Sequence, residues 1–358
     1  MADIAWARAH FGERAAVLVE TVLLRRRASV KLGDAASTWL FTDDALQQAT
    51  AGPVALHRAR RLAGRVVHDV TCSIGTELAA LQHRASAIMG SDVDPVRLAM
   101  AQHNVPDVAL CRADALAPVS RDSVVIADPA RRSAGRRRFD PRDYTPALDG
   151  LLDAYRDRDL VVKCAPGIDF GWLDKLGFGG EVAVTSLAGG VREACLWSPG
   201  LAGSRRRATV LDAEGAVREE LTDADPDDCP VAPAGRWIID PDGAVVRAGL
   251  VRHYAARHRL WQLDPAIAYL SGDELPSEVR GFEVFEEIGY SERRLRQALA
   301  ARQASAVEIL VRGVDVDPDA LRNRMRLKGT GSSVSVVITR LGAGSAARAV
   351  AYLCRPSR

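Results

Sequence analysis

Apolar residues recur at helical spacing through the first sixty residues and then give way to short, separate runs. The segments ERAAVLVETVLLRRR and TDDALQQATAGPVALHRARRLAG predict helices, so we expect residues 1–62 to form a helical segment. From Val66 onward, helical stretches and turns alternate with apolar runs, namely VVHDV, AIMGSDV, VALCRAD, SVVIADP, DLVVKCAP, EVAVTSL and REACLW. This alternation is typical of a parallel α/β sheet, which we expect over residues 63–221.

A polar, proline-rich stretch follows the predicted sheet domain. Its sequence, TDADPDDCPVAPAG, has no apolar periodicity, and we interpret residues 222–235 as a linker. Beyond it, GAVVRAGLVRHYAARHRLWQL predicts one amphipathic helix over 243–263. The tail predicts strands at 279–288, 305–312, 333–340 and 346–354 and helices at 291–303 and 317–328. We therefore expect residues 236–358 to form a small α+β module.

Composition narrows the class of protein. The chain has 358 residues, 47 % hydrophobic and 26 % charged, which is enough for two or three folded domains. No apolar run approaches the roughly 20 residues of a membrane helix, and acidic residues interrupt the N-terminal region, so we expect neither membrane insertion nor export. Six cysteines without a C-x-x-C pair predict reduced thiols, no metal site and a cytoplasmic location. The formal net charge of +2 does not by itself indicate nucleic acid.

A tight turn of small residues follows the first predicted strand. In VVHDVTCSIGTELAAL, residues 66–81, an acidic residue leads into the turn and a helix is predicted from Thr76. Such a turn exposes backbone N–H groups and a helix N-terminus to a ligand, as nucleotide-type sites require. Two of the usual glycines are replaced by other small residues. The cofactor contacts predicted in this motif are Asp69, Thr71, Cys72, Ser73 and Gly75.

The next three predicted strands all end in carboxylates. Asp92 lies about twenty residues beyond the turn, where a carboxylate accepts hydrogen bonds from both hydroxyls of a ribose. Asp114 ends the third strand and is placed to accept from an adenine amino group. The fourth strand ends in Asp128-Pro129, again at the edge where ligands collect in open α/β sheets.

These four motifs resemble those of the class I S-adenosylmethionine (SAM)-dependent methyltransferases, in the order of that family, over residues 66–132. A dinucleotide-binding dehydrogenase would carry a fuller G-x-G-x-x-G turn. The hairpin EVAVTSL/REACLW resembles the reversed final strand pair of the methyltransferase fold. The resemblance implies a seven-stranded Rossmann-like sheet and SAM as the cofactor.

Nearly the whole chain is similar to bacterial SAM-dependent methyltransferases that carry a C-terminal THUMP-like domain. The similar segments are RRRASVKLG, FTDDALQQATAGPVALHRA, DPARR, VVKCAPGID, SLAGGVREACLW, RWIIDPDGAVVRAGL and VEILVRGVDVDPDALRNRM. THUMP modules bind RNA in tRNA-modifying enzymes, so the resemblance implies methylation of tRNA or rRNA. Two alternatives stay open at this point, namely methylation of a small molecule or protein, and RNA binding without catalysis.

One hypothesis for the methyl acceptor is an exocyclic amine of a base. Asp128 and the backbone around Pro129 would accept hydrogen bonds from that amine, as the Asp-Pro-Pro motifs of amino-methyltransferases do. The second proline and the usual aromatic residue are replaced here by Ala130 and Arg131, so the stacking partner for a flipped base is missing from its normal place.

Two other acceptors are compatible with the motifs. The set that would serve a ribose 2′-OH resembles the Lys-Asp-Lys-Glu set of 2′-O-methyltransferases and consists of Lys31, Asp128, Lys163 and Glu193. In that set a buried lysine flanked by carboxylates acts on the hydroxyl proton. Alternatively, Cys72 or Cys164 would attack a pyrimidine ring as a thiolate.

Arginine clusters indicate where RNA would be held. A predicted loop after the Asp-Pro motif carries Arg131, Arg132, Arg136, Arg137 and Arg138, with the rings of Phe139 and Tyr144 interleaved. Such a loop can grip phosphates and offer a ring on which a base stacks. Further basic clusters at 25–27, 205–207 and 322–328 would form an RNA track if they shared one face.

Overall fold

A computed structural model describes residues 2–130, 132–133, 136–137, 141–277, 279–327 and 330–357. The chain divides into two units, Met1–Glu220 and Leu221–Arg358. The helical segment 1–62 lies within the first unit, and residues 223–236 contain no regular helix or strand. No helix in the described ranges is both long and apolar enough to pass through a bilayer.

Helices and strands alternate through most of the first unit. Its helices are α1 (Ala2–Phe11), α2 (Ala15–Leu32), α3 (Asp43–Gln48), α4 (Gly52–Arg61), α5 (Thr76–Leu81), α6 (Pro95–Asn104), α7 (Leu148–Ala154) and α8 (Phe170–Lys175). Its strands are β1 (Val66–Asp69), β2 (Ala87–Asp92), β3 (Ala109–Arg112), β4 (Val124–Ala127), β5 (Arg132–Ser133), β6 (Arg136–Arg137), β7 (Leu160–Cys164), β8 (Glu181–Leu187), β9 (Gly190–Trp197), β10 (Arg206–Leu211) and β11 (Val217–Thr222). The side chains of Thr42, Asp94 and Asp169 cap α3, α6 and α8 by accepting from backbone N–H groups of the first turn.

Nine strands within the described ranges form the sheet of the first unit, in the order β11-β10-β8-β9-β7-β4-β1-β2-β3. The central strands from β7 to β3 are parallel, whereas β9 runs antiparallel to both β7 and β8. Every residue of β4, β7 and β8 is buried, as expected of strands covered on both faces. The predicted α/β fold with a reversed last strand pair is confirmed.

Two strands, β10 and β11, extend the sheet beyond the seven that the resemblance implies. β10 pairs in parallel with β8 and begins with two arginines. Arg207 donates to buried Glu181 at 3.1 Å and to Glu220 at 2.7 Å. Arg207 therefore joins β10 to its two neighbours β8 and β11 through ion pairs, and the RNA track that the 205–207 cluster would contribute to stays a prediction.

The N-terminal helices pack against the predicted cofactor turn. One apolar cluster joins α2, the segment after it, the turn and α5, and it contains Leu24, Ala28, Trp39, Phe41, Cys72, Ile74 and Leu78. Asn104 of α6 adds polar contacts, because its side chain accepts from the backbone of Leu40 at 2.8 Å and donates to that of Ile74 at 2.9 Å. The helical segment is thus part of the structure that supports the turn.

The second unit is an antiparallel sheet with one parallel strand pair. Its helices are α9 (Gly243–Ala248), α10 (Val251–His258), α11 (Glu292–Ala301) and α12 (Pro318–Met325), and its strands are β12 (Trp237–Ile239), β13 (Trp261–Gln262), β14 (Leu270–Gly272), β15 (Gly281–Gly289), β16 (Val307–Arg312), β17 (Val334–Leu341) and β18 (Arg348–Pro356). Among the residues described here, the strand order is β13-β14-β12-β15-β18-β17-β16, with β16 parallel to β17. Apolar residues of α11 and α12, including Leu299 and Leu321, pack against Val336 and Leu353 of the sheet.

The single amphipathic helix predicted over 243–263 is wrong. Gly249 adopts a φ of +75° and ends α9, and a second helix starts at Val251. Arg259, with a φ of +56°, ends α10 and leads into β13. The apolar periodicity continues across both breaks, so the pattern alone did not locate them.

Candidate active site

A cavity of about 500 Å³ opens at the carboxyl ends of the central parallel strands. Asp69 and Asp92 end β1 and β2, while Asp128 follows β4 and Lys163 comes from β7. Ligands bind at this edge of open α/β sheets. The volume also lies in the range of sites for cofactors and small molecules.

Six of the predicted cofactor residues line this cavity, namely Asp69, Thr71, Cys72, Ser73, Asp92 and Asp114. Gly75 is not among the described lining residues, but it shapes the turn with a φ of +87° immediately before α5. A Cβ at Gly75 would lie 2.9 Å from a methyl carbon of Val105. Ser73 itself adopts a φ of +49°, so the turn closes without a glycine at that position.

Thr71 connects the turn to the loop after β4. Its backbone N–H donates to Asp69 Oδ1 at 3.1 Å. Its hydroxyl oxygen accepts from the backbone N–H of Asp128 at 2.6 Å. Thr71 therefore links the Asp69 side chain to the backbone of Asp128, and a glycine could not make the second of these contacts.

The Asp92 carboxylate is fixed by the backbone on both of its oxygens. Oδ2 accepts from the N–H of Ser73 and Oδ1 from the N–H of Asp94, each at 2.9 Å. Asp114, on the tip of the neighbouring strand β3, accepts from the N–H of Leu116 at 2.9 Å. A fixed carboxylate next to a positive-φ turn fits the ribose hydroxyls of an adenosine cofactor, with Asp114 on the adenine side. The residues present thus fit SAM.

Asp69 is almost completely buried at the base of the cavity. Burial, together with the charges of Glu77 and Asp128, raises its pKa to about 8, although the Thr71 N–H and Lys163 oppose the shift. In the free protein at neutral pH, Asp69 therefore holds a proton. A cationic ligand placed beside it would favour the carboxylate form.

Asp128 and Lys163 form an ion pair in the cavity, between the Lys163 ammonium and Asp128 Oδ2. Burial opposes the ammonium form of Lys163, but the negative charges of Asp128, Glu193 and Glu77 together outweigh burial and the Arg58 charge, so the pKa of Lys163 is raised. The lysine is therefore a cation at neutral pH and no proton acceptor. Pro129 is buried between two residues that line the cavity, Asp128 and Ala130.

The structure does not bring the other two members of the Lys-Asp-Lys-Glu set into the cavity. Lys31 donates to the carbonyl oxygens of Leu46 at 2.9 Å and Gln47 at 3.0 Å, at the end of α3. Glu193 is buried against the Arg58 guanidinium. Neither Lys31 nor Glu193 is among the described residues that line the cavity.

Two functional candidates, Arg58 and Glu77, escaped the sequence analysis. Arg58 of α4 is buried and pairs with Glu77 of α5, which lines the cavity. The sequence carries a weak signal for this contact, because both charged residues stand on otherwise apolar helix faces. An unpaired charge would be costly on such a face.

The arginine-rich loop falls largely outside the part of the chain that the structure describes. Arg131, Arg138 and Phe139 lie outside the described residues, and Arg132, Arg136 and Arg137 belong to the β5–β6 hairpin. Tyr144, in contrast, is buried and its hydroxyl accepts from the backbone N–H of Ala165 at 3.2 Å. The expectation that Tyr144 is an accessible stacking ring is therefore wrong.

Neither candidate thiol is prepared for nucleophilic attack. Cys72 and Cys164 are both buried. Burial, together with the charges of Asp69 and Asp92, raises the pKa of Cys72 far above its usual value. Because the thiolate is the nucleophile, the covalent hypothesis has no support in this geometry.

Comparison with known proteins identifies the family. Residues 279–356 match the family described as THUMP domain-like. Two curated relatives, each named an uncharacterized SAM-dependent methyltransferase, come from Mycobacterium tuberculosis strains CDC 1551 / Oshkosh and H37Rv. Each is 66 % identical over 362 residues, covering 98 % of this chain and 100 % of the relative. The crystal structure of a candidate methyltransferase from Porphyromonas gingivalis W83 has the same fold, with a TM-score of 0.76 at 20 % identity over 100 % of this chain and 98 % of that chain.

These similarities confirm the predicted enzyme class and cofactor. The identity to the mycobacterial relatives extends over nearly the full length of both chains. The residues predicted for the turn, the ribose and the adenine side lie together around one cavity. The chain belongs to the SAM-dependent methyltransferases with a C-terminal THUMP-like domain, and SAM is its cofactor.

Proposed function

We propose that this enzyme methylates RNA, either tRNA or rRNA, at an exocyclic amine of a base. The observation that carries the RNA part of the proposal is the THUMP-like match at residues 279–356. In this proposal the helical segment 1–62 and the sheet domain 63–221 bind SAM. Residues 236–358, after the linker 222–235, present RNA, and the enzyme acts in the cytoplasm.

Charge in the second unit supports an RNA partner. A cleft at the ends of α11 and α12 is lined by Arg296, Arg324 and Arg326, together with Gln303 and Asn323. Arg324 also pairs with Glu292 at 2.8 Å, so part of this positive charge is neutralised. Guanidinium groups bind phosphates through paired hydrogen bonds, and side-chain amides also contact the nucleic-acid backbone.

The cavity supports an amine as the acceptor. Bound SAM supplies an electrophilic methyl group, and the protein has to orient the nucleophile and handle its proton. Lys163 donates to Asp128 Oδ2, and in this proposal Asp128 Oδ1 and the backbone around Pro129 accept hydrogen bonds from the amine. The 2′-OH alternative needs a lysine that takes up a proton, and the raised pKa of Lys163 opposes that role.

The test is incorporation of radiolabelled methyl from SAM into separate tRNA, rRNA, protein and small-molecule fractions. We expect label in RNA that ribonuclease removes and protease does not, with nucleoside analysis locating it on a base. The matched variant Arg296→Glu/Arg326→Glu is expected to lose RNA methylation while SAM binding is unchanged, because the charges in the cleft reverse. Label confined to protein or small molecules would contradict the RNA proposal, and label on ribose would contradict the amine assignment.

A further inference from the structure

A buried ion cluster adjoins the cofactor cavity through Glu77. The Arg58 guanidinium donates from Nε to Glu77 Oε1 at 2.7 Å and from Nη2 to Glu77 Oε2 at 2.8 Å. Its remaining nitrogen, Nη1, donates to Glu193 Oε1. The Arg58 side chain is only 2 % exposed, and each glutamate side chain 7 %. One arginine from α4 is thus clamped between two carboxylates.

The cluster carries one more negative charge than positive charge. Burial opposes the charge of Arg58, but the charges of Glu193 and Glu77 outweigh burial and raise its pKa well above the usual value. Burying three charged groups carries a large desolvation penalty, which apolar residues of similar volume would avoid. A bidentate pair does, however, fix the plane of a carboxylate. The arrangement is therefore suited to holding one carboxylate in a set orientation.

The two glutamates differ in what they face. Glu77 lines the cofactor cavity and Glu193 is not among the described residues that do so. The charge of Glu77 acts on Asp69, whose pKa it helps to raise, and on Lys163. Around this end of the cavity stand the carboxyl groups of Asp69, Glu77 and Asp128, with Lys163 as the cation. Asp69 is protonated in the free protein and Lys163 neutralises Asp128. The net negative charge at this end is therefore the one left by Glu77 and Glu193 around the single Arg58 cation, and it favours a positively charged ligand group.

We propose that Glu77 is the counter-ion of the α-ammonium group of the cofactor, and that Arg58 is the positioning residue that holds Glu77 in place. Arg58 belongs to α4, so the N-terminal helical segment contributes to cofactor recognition through this clamp. This contact would let the enzyme discriminate between a cofactor with a charged aminoacyl tail and an adenosine thioether that lacks that tail. This inference rests on the assignment of SAM as cofactor and is independent of the RNA proposal.

The test compares Glu77→Gln with Glu193→Gln, since each variant removes one of the two carboxylates from Arg58. Affinities are measured by calorimetry for SAM, for S-adenosylhomocysteine, which has the ammonium without the sulfonium, and for 5′-methylthioadenosine, which lacks the aminoacyl tail. Glu77→Gln is expected to lower the affinity for S-adenosylhomocysteine at least tenfold and the affinity for 5′-methylthioadenosine less than twofold. Glu193→Gln is expected to change each of these two affinities by less than twofold. The melting temperature is expected to fall in both variants.

Three outcomes would overturn the proposal. Equal losses of S-adenosylhomocysteine affinity in the two glutamine variants would give the cluster a structural role only. Unchanged affinity for S-adenosylhomocysteine in Glu77→Gln would show that Glu77 does not contact the α-ammonium group. A loss of affinity for SAM alone would place Glu77 next to the sulfonium instead. If either glutamine variant does not fold, Glu77→Asp and Glu193→Asp replace the pair. Each aspartate keeps a negative charge beside Arg58 but is one methylene shorter than glutamate. The same ligands are then compared.

Discussion

A Lys163→Met enzyme is expected to transfer methyl groups about a hundredfold more slowly than the wild type or worse. The Lys163 ammonium holds one oxygen of Asp128 inside a cavity that also contains Asp69 and Glu77. Without it, the Asp128 carboxylate loses its counter-ion and its fixed orientation, so it no longer presents Oδ1 to the acceptor. SAM affinity is expected to stay the same or to increase, because a positive charge has left the cavity.

Two further variants separate this role from its alternatives. Lys163→Arg keeps the charge and is expected to retain part of the turnover, whereas an enzyme that needs lysine as a proton acceptor would lose it. Lys175→Met removes a lysine from the surface of α8 and serves as the matched control. Steady-state rates and calorimetric SAM affinities are measured on all three. Loss of SAM binding in Lys163→Met at unchanged turnover per bound SAM would contradict the role given to Lys163.

The affinity for SAM is expected to rise about ten- to a hundredfold between pH 6 and pH 8 and then to level off. In the free protein the pKa of Asp69 is about 8, so below that pH the binding of a cationic ligand has to displace a proton. Calorimetry in buffers of different ionisation enthalpy is expected to record the release of that proton near pH 7. The control is Asp69→Asn, which keeps an oxygen that accepts from the Thr71 N–H but has no carboxyl group to titrate. Any pH dependence that remains in this variant comes from the ionisation of SAM itself.

The same carboxyl group makes the free protein less stable as the pH rises. An exposed aspartate in the unfolded chain ionises near its usual pKa of about 4, while folded Asp69 keeps its proton until its pKa of about 8. Between these values the folded state binds more protons, so the Asp69 contribution to the free energy of unfolding falls with pH. It is fully present below pH 4. Binding and stability profiles that are identical in wild type and Asp69→Asn would contradict the raised pKa.

The sequence predicted that carboxylates at the strand tips would meet at one edge of the sheet, and the structure places them there. Asp69, Asp92 and Asp128 each follow a short apolar run, and parallel strands bring their carboxyl ends to one edge. The alternation of runs and turns therefore predicted both the fold and the meeting of these carboxylates. The conformation of the turn could not be predicted, because Ser73 adopts a positive φ where a glycine is usual and no sequence pattern reports that conformation.

The charged contacts between distant segments could not be predicted. Arg58 and Glu193 are 135 residues apart along the chain, and neither local sequence indicates that the two side chains form a pair. Likewise, Arg207 lies in a run of arginines that suggests a surface patch. In the structure it pairs with Glu181 on the neighbouring strand β8. Lys31 resembles a catalytic lysine by residue type, whereas the structure gives it two backbone carbonyls at the end of α3.

The decisive measurement is a calorimetric titration of the full-length protein with SAM, run in parallel on Asp92→Ala and on Asp107→Ala, a change on the exposed surface. We expect saturable binding to the wild type and to Asp107→Ala. Asp92→Ala is expected to weaken binding by about 1–3 kcal/mol, because a fixed carboxylate that accepts from the ribose hydroxyls is lost. No binding to the wild type, or equal affinity in Asp92→Ala, would contradict the assignment of this cavity as the SAM site.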